Sequence, residues 1–379
     1  MNRNRKLDFI YSTDKDHAAL LPLFHHLRKT YPTARMVKIH RRKMLTGYIR
    51  DLAPVVVAAY DVAIRRARER GWSGKSVYVD HGLSPVKYYA YRYRTFHECD
   101  LLFYPGPVFQ DIMAVLNPEF DHGLQGGLPK MDQLVTLEVD REAECRRLGL
   151  APEKPIVVFA PTWGGKYRSD WGIANARHLD GYPNLIIAPH PSDYRIARRF
   201  DAVVPEEKGN INQLLRLADV VVSDVSSVVG EAAVLDTPVV QMILPEYPGC
   251  FPQPERRHEG LWLDTQRMKS FEAAADPVRR PFKLAYLDED WIMGHTAHPQ
   301  QIKRAVDAAI AEPDRFSKER KFWAERSCFL PDGRSTERIG MMIETFLEEG
   351  IRKQFGRFPP SRYFDAEKDQ VQARENTDR

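Results

Sequence analysis

The sequence is poor in cysteine, with four in 379 residues, and none stands in a C-x-x-C pair. Cys99, Cys145, Cys250 and Cys328 are too scattered for a zinc site or a disulfide framework, so a reducing, cytoplasmic compartment is the expectation. Long apolar runs are also missing. The longest uncharged apolar stretch is Leu52–Tyr60, far short of the ~20 residues that span a bilayer. The first residues, MNRNRKLDFIYSTDKD, are basic but hold no apolar h-region, which argues against a secretory signal. Net charge is only +4, too small to imply nucleic acid as a partner, and no nucleic-acid-binding motif accompanies it. Neither a Walker A loop nor a convincing G-x-G-x-x-G fingerprint is found, which disfavours nicotinamide redox chemistry. No residue set has metal-ligand spacing.

What is present is a rhythm of short apolar segments alternating with helical ones. The strand candidates are Leu7–Tyr11, Arg35–Ile39, Ser76–Asp80, Leu101–Tyr104, Ile156–Ala160, Leu185–Ala188, Val220–Ser223 and Val239–Ile243. Most are continuous apolar runs, the pattern of parallel strands covered on both faces. Helical stretches are expected at His17–Thr30, Tyr60–Arg70, Arg141–Leu148, Ile211–Ala218 and Ser227–Leu235. The alternation predicts an α/β fold of βαβ units. A turn-forming, charged segment at residues 149–155 divides it into two doubly wound domains, 1–150 and 151–300, facing across a cleft. Residues 301–364 read as C-terminal helices packing back across the domains, and 365–379 as a polar, disordered tail.

Ligands of open parallel sheets bind beyond the carboxyl ends of the strands, so the residues that follow each strand matter most. His81-Gly82 follows one strand, Pro161-Thr162-Trp163 another, Pro189-His190-Pro191 a third, and Asp224-Val225-Ser226-Ser227 a fourth. His81 is either a structural histidine or a general base, because imidazole titrates near neutrality. Gly82 admits close approach by backbone or substrate. His190, fixed between two prolines, is a turn residue or a donor to an anionic oxygen. Thr162 and Trp163 offer a hydroxyl and a ring, with core packing the alternative for Trp163. Ser226 and Ser227 either cap a helix or, with its free N–H groups, bind an anion. Asp224 orients a neighbouring hydroxyl or caps a helix. Basic residues gather in the first fifty positions, densest at Arg41-Arg42-Lys43; they form a solvated surface or a contact with an anionic membrane or phosphorylated acceptor.

Taken in order, these motifs resemble the CDP-glycerol glycerophosphotransferases, the teichoic-acid and capsule polymerase group. The resemblance rests on Asp80-His81-Gly82-Leu83-Ser84-Pro85, Gly127-Leu128-Pro129-Lys130-Met131-Asp132, Ala160-Pro161-Thr162-Trp163, Pro189-His190-Pro191, Ala218–Ser227 and Asp332–Arg338. It implies a GT-B fold of two Rossmann-like domains, with the acceptor on the N-terminal side and the nucleotide donor on the C-terminal side. It implies His81 as the base for the acceptor hydroxyl and His190 as the group that stabilises the donor's phosphates. Asp224, Ser226 and Ser227 would form the pyrophosphate-binding turn, with Gly82, Lys130, Thr162 and Trp163 also in the substrate site. Four departures stand out: Lys130 occupies a position usually held by arginine, Val225 one commonly held by tyrosine, Glu231 one usually held by aspartate, and Gly164-Gly165-Lys166 a stretch that often carries acidic residues.

The reaction the resemblance implies moves a polyol-phosphate unit from a CDP-activated donor to a hydroxyl of a surface glycan or lipid-linked precursor, releasing CMP. No cofactor is called for beyond that nucleotide-activated substrate. The expected location is cytoplasmic, peripheral on the inner face of the membrane. Two other readings stand beside it: a GT-B glycosyltransferase using a sugar nucleotide, and an inactive nucleotide- or glycan-binding protein.

Overall fold

The computed structural model describes residues 6–40, 49, 51–84, 91, 93–164, 168–206, 211–244 and 293–349. Six strands build a first sheet: β1 (Leu7–Tyr11), β2 (Arg35–Lys38), β3 (Val55–Ala58), β4 (Lys75–Val79), β5 (Leu101–Tyr104) and β6 (Gly123–Gln125). Their order is β2-β1-β3-β4-β5-β6 and every pairing is parallel. Five more build a second sheet: β7 (Val157–Phe159), β8 (Leu185–Ile187), β9 (Val220–Ser223), β10 (Val239–Met242) and β11 (His295–Ala297). Their order is β11-β10-β9-β7-β8, again parallel throughout.

The helices in chain order are α1 (Asp14–Leu27), α2 (Asp61–Arg68), α3 (Arg94–His97), α4 (Pro107–Leu116), α5 (Pro129–Thr136), α6 (Arg141–Leu148), α7 (Tyr194–Ala197), α8 (Ile211–Leu217), α9 (Val228–Val234), α10 (Ile302–Ala311), α11 (Ser317–Ser327) and α12 (Ser335–Glu349). Their ends carry local signals. Thr13 and Asp16 form a capping box at the start of α1, α4 and α5 each begin with proline, and α6 is capped by Asp140 and ends at left-handed Gly149.

Helices cover both faces of the sheets, which is why the strands are apolar at consecutive positions. In β3, Val56 and Ala58 enter one core cluster while Val55 and Val57 enter the cluster on the opposite face. The eight strands expected from the sequence are all present, to within one or two residues at their ends. Three strands, β3, β6 and β11, and four helices, α3, α4, α5 and α7, were not expected. Thus Leu52–Tyr60, noted only as an apolar run, contains the central strand of the first sheet.

The last helices fasten the two sheets together. Helix α11 packs on α9 of the second sheet and on α4 of the first, and α12 returns to pack on α1 and α5. Asp132 of α5 accepts the backbone N–H of Ser335 at 2.8 Å and of Thr336 at 2.6 Å, so it caps α12 from across the chain. Gly127 lies at φ +82, and a Cβ there would stand 2.5 Å from Ser335 Oγ and 2.7 Å from the Phe329 carbonyl. The motifs at 127–132 and 332–338 therefore explain each other, because they meet in one joint. The expected tail at 365–379 and the basic patch Arg41–Lys43 lie outside the described residues. Among the described residues, no helix is long and apolar enough to cross a membrane.

Candidate active site

Both sheets reverse strand order beside their first strand, β1 in one and β7 in the other, and crevices form there beyond the carboxyl ends. In the second sheet the reversal places the turn after β7, with Thr162 and Trp163, beside the turn after β9, with Asp224, Ser226 and Ser227. The loop after β4 in the first sheet reaches across to that turn. A Cβ on Gly82 would lie 3.5 Å from Ser227 Cβ, and Ser84 Oγ donates to the Val225 carbonyl at 2.8 Å. Helix α9 comes closer still at Gly230, where a Cβ would stand 2.8 Å from the Leu83 carbonyl oxygen, so glycine is needed for the approach. His81-Gly82 and Ser226-Ser227 thus meet at one seam between the two halves.

His81 is mostly buried, its side chain 19% exposed. Its Nδ1 lies 2.7 Å from the carbonyl oxygen of Ala59, at the end of β3. A carbonyl can only accept, so Nδ1 carries the proton and Nε2 is left with the lone pair. The Tyr60 ring stands edge-on to the imidazole at 5.3 Å. Burial, helped by Lys15, pushes the His81 pKa down to about 4, against the pull of Asp80 and Asp16. The ring is therefore neutral at physiological pH, in the tautomer a base requires.

His190 has the opposite arrangement. Ser192 donates its backbone N–H to His190 Nδ1 at 3.3 Å, and Ser192 Oγ lies 3.0 Å from the same nitrogen. Nδ1 is the acceptor here, which puts the proton of the neutral ring on Nε2, where it can be donated. One histidine presents a lone pair at Nε2 and the other an N–H.

Two buried carboxylates pin the turn after β7. Asp224 Oδ1 accepts the Thr162 N–H at 2.9 Å, and Asp193 Oδ2 accepts the Gly164 N–H at 3.1 Å. Trp163, half-buried between them, meets Trp171 edge-to-face at 6.5 Å. Asp193 stands three residues after His190, so one residue ties the histidine's loop to the tryptophan's turn. Asp224 is 1% exposed and points inward to Thr162, so it shapes the turn. The Thr162 hydroxyl is buried as well, without a hydrogen-bond partner. Ser226 and Ser227 are the half-exposed members of that turn. Ser227 occupies the cap position of α9 yet makes no capping bond, which leaves its hydroxyl for another partner.

Lys130 Nζ meets Glu231 Oε1 at 2.6 Å, joining α5 to α9. Its charge is therefore matched within the protein. Two of the departures from the expected pattern are in direct contact, Lys130 where the resemblance leads one to expect arginine and Glu231 where it leads one to expect aspartate. Glu231 is fully buried and its Oε2 has no hydrogen-bond partner. Sequence reasoning missed Asp193 and the Ala59 carbonyl. The first had a signal in its spacing from His190; a main-chain acceptor has none. Among the described residues, no group of three or more His, Cys, Asp or Glu side chains is arranged to hold a metal ion.

Two parallel α/β sheets meeting at their carboxyl edges define the GT-B-like class. Residues 82–244 match the family described as CDP-Glycerol:Poly(glycerophosphate) glycerophosphotransferase, which bears out the resemblance drawn from the motifs. That match indicates a transferase. The matched stretch holds every candidate residue except His81, which stands immediately before it. Among solved structures, the wall teichoic acid polymerase TagF is similar at 15% identity and a TM-score of 0.61, over 92% of this chain and 90% of that one. UDP-GlcNAc 2-epimerase from Neisseria meningitidis, bound to UDP-GlcNAc, is similar at 13% identity and a TM-score of 0.57, over 90% of this chain and 99% of that one. No curated protein matches the chain in sequence.

Proposed function

We propose that the protein transfers a polyol-phosphate unit, glycerol phosphate or a close relative, from a CDP-activated donor to a hydroxyl of a cell-surface glycan or lipid-linked precursor. The observation that carries this reading is the opposed protonation of the two strand-end histidines. The acceptor oxygen attacks the β-phosphorus and forms the new P–O bond. The bond from that phosphorus to the bridging oxygen breaks, and CMP leaves. His81 Nε2 takes the acceptor's proton. His190 donates its Nε2–H to a phosphate oxygen, and Ser226 and Ser227 donate hydroxyls to the others.

Gly82 and Gly230 keep the seam narrow, and Lys130, by holding Glu231, fixes α9 behind the phosphate-facing turn. Trp163 and Thr162 line the donor side. The CDPG soak of TagF crystals and the family match favour a CDP-polyol over a sugar nucleotide. The acceptor would be a teichoic-acid or capsule precursor at the inner face of the membrane, with the protein bound peripherally.

The test is nucleotide release by the purified protein over CDP-glycerol, CDP-ribitol, UDP-sugars, GDP-sugars and CMP-sugars. CMP from a CDP-polyol, reduced about 10²–10⁴-fold in His81→Ala, is the expected outcome. UDP or GDP release, or CMP only from a CMP-sugar, would replace this reading with glycosyl transfer. Donor binding without turnover in the presence of acceptor would leave a binding protein.

A further inference from the structure

The Ala59 carbonyl oxygen that fixes His81 has a second donor. Tyr78 Oη donates to it at 3.0 Å, from a fully buried ring on β4, the strand that also carries His81 at its end. The Tyr78 ring is locked against Phe96, with centroids 4.4 Å apart. One carbonyl therefore takes two donors, using both of its lone pairs.

His81 has another potential partner. Asp80 Oδ1 lies 3.7 Å from Nδ1, a full ångström farther than Ala59. That carboxylate is occupied: Oδ1 accepts the His81 backbone N–H at 2.6 Å, and Oδ2 accepts the Tyr91 hydroxyl at 2.7 Å. Two tyrosines thus sort two acceptors. Tyr91 holds the carboxylate, and Tyr78 holds the carbonyl in line with the imidazole.

We propose that Tyr78 is a positioning residue for His81, acting through the Ala59 carbonyl oxygen. It keeps the imidazole on a neutral main-chain acceptor instead of the neighbouring carboxylate. Without the tyrosine hydroxyl the Ala59 peptide loses its tether, and Nδ1–H can turn to Asp80. A carboxylate partner stabilises imidazolium far more than a carbonyl does. The other ionisable groups around the pair are Lys15 and Asp16 at the start of α1, Tyr60 and Asp61 entering α2, and Tyr91. Tyr78→Phe leaves all of them in place. The link to catalysis rests on the role proposed above for His81; the positioning itself does not.

The experiment is ¹⁵N NMR of the full chain with labelled histidine, on wild type and Y78F, with the His81 signal assigned by His81→Gln, beside steady-state kinetics with CDP-glycerol and acceptor. Wild-type His81 is expected in the Nδ1–H tautomer, with its protonation midpoint well below 6.5. In Y78F the midpoint should move upward toward 6.5, and kcat should fall by roughly tenfold with KM little changed, because the turned ring no longer aims Nε2 at the acceptor. An unchanged tautomer and midpoint in folded Y78F would overturn the proposal. Should Y78F fail to fold, an unprotonated Nδ1 in the wild type at pH 7 would overturn it instead, and an Nδ1–H there would support it. A shifted midpoint together with a fully active His81→Ala would uphold the positioning and refute the catalytic role.

Discussion

Exchanging the Lys130–Glu231 pair for arginine and aspartate gives the sharpest test of how the two halves are joined. Glu231 is fully buried and takes its one strong contact, 2.6 Å, from Lys130. Removing the lysine strands a buried carboxylate, a change that costs about 3–5 kcal/mol in closed sites. Lys130 is 29% exposed, so water enters the space it leaves and lowers the cost. Lys130→Met should therefore destabilise the protein by about 2–3 kcal/mol at pH 7. Glu231→Asp withdraws the carboxylate by about one methylene and should also destabilise, and Lys130→Arg placed against Asp should restore the contact. Guanidinium melts of wild type, K130M, K130R, E231D and the K130R/E231D double variant at pH 7 supply the cycle. If K130M lies within about 0.5 kcal/mol of wild type at pH 7, or K130R and E231D are simply additive, the pair is not a joint.

Three more outcomes are expected. Asp132→Ala frees two N–H groups at the start of α12 and should cost about 1–2 kcal/mol, with α12 amides exchanging faster in hydrogen-exchange mass spectrometry; unchanged protection there would refute the capping role. Acid should destabilise the fold between pH 6.5 and 4. Burial pushes both His81 and His97 down to about 4, so the unfolded chain binds more protons than the native one in that window, while Asp61, raised to about 6 by burial, works in the opposite sense. The net of these three is a loss on the order of 3 kcal/mol, and His97→Gln should flatten the slope; an unchanged slope would show that His97 is not held neutral. His190→Ala should cut turnover by about 10²-fold or more, whereas Ser192→Ala, which removes the hydroxyl but leaves the backbone N–H on Nδ1, should cost less, and turnover in H190A near wild type would remove His190 from the chemistry.

Much of this was legible in the sequence because parallel strands covered on both faces must be apolar at consecutive positions. Runs such as Val220-Val221-Val222 announce themselves, and the carboxyl-end rule then selects the residues that follow them. The strand β3 hid within an apolar run that continues to Tyr60, with no polar break to mark its end. Gly123–Gln125 and His295–Ala297 are three residues each and carry glycine, glutamine and histidine, so they lack the apolar signature altogether. At the site, His81, His190, Thr162, Trp163, Ser226 and Ser227 were legible as types at strand ends. Their protonation was not, because it depends on the Ala59 carbonyl and the Ser192 backbone N–H. The inward turn of Asp224 to Thr162, and the pairing of Lys130 with Glu231, depend on contacts between segments 62 and 101 residues apart. The part played by Asp332–Arg338 was not legible either, because the carboxylate that caps α12 there, Asp132, comes from 203 residues away.

The central claim is that the acceptor attacks phosphorus. ³¹P NMR of the purified protein with CDP-glycerol and a glycerol-phosphate-primed acceptor reads this directly. The account predicts that the two pyrophosphate signals give way to equal amounts of CMP monoester and a new phosphodiester, and that His81→Ala abolishes both. Release of CDP, with its pyrophosphate intact, would place the attack on carbon and contradict the account.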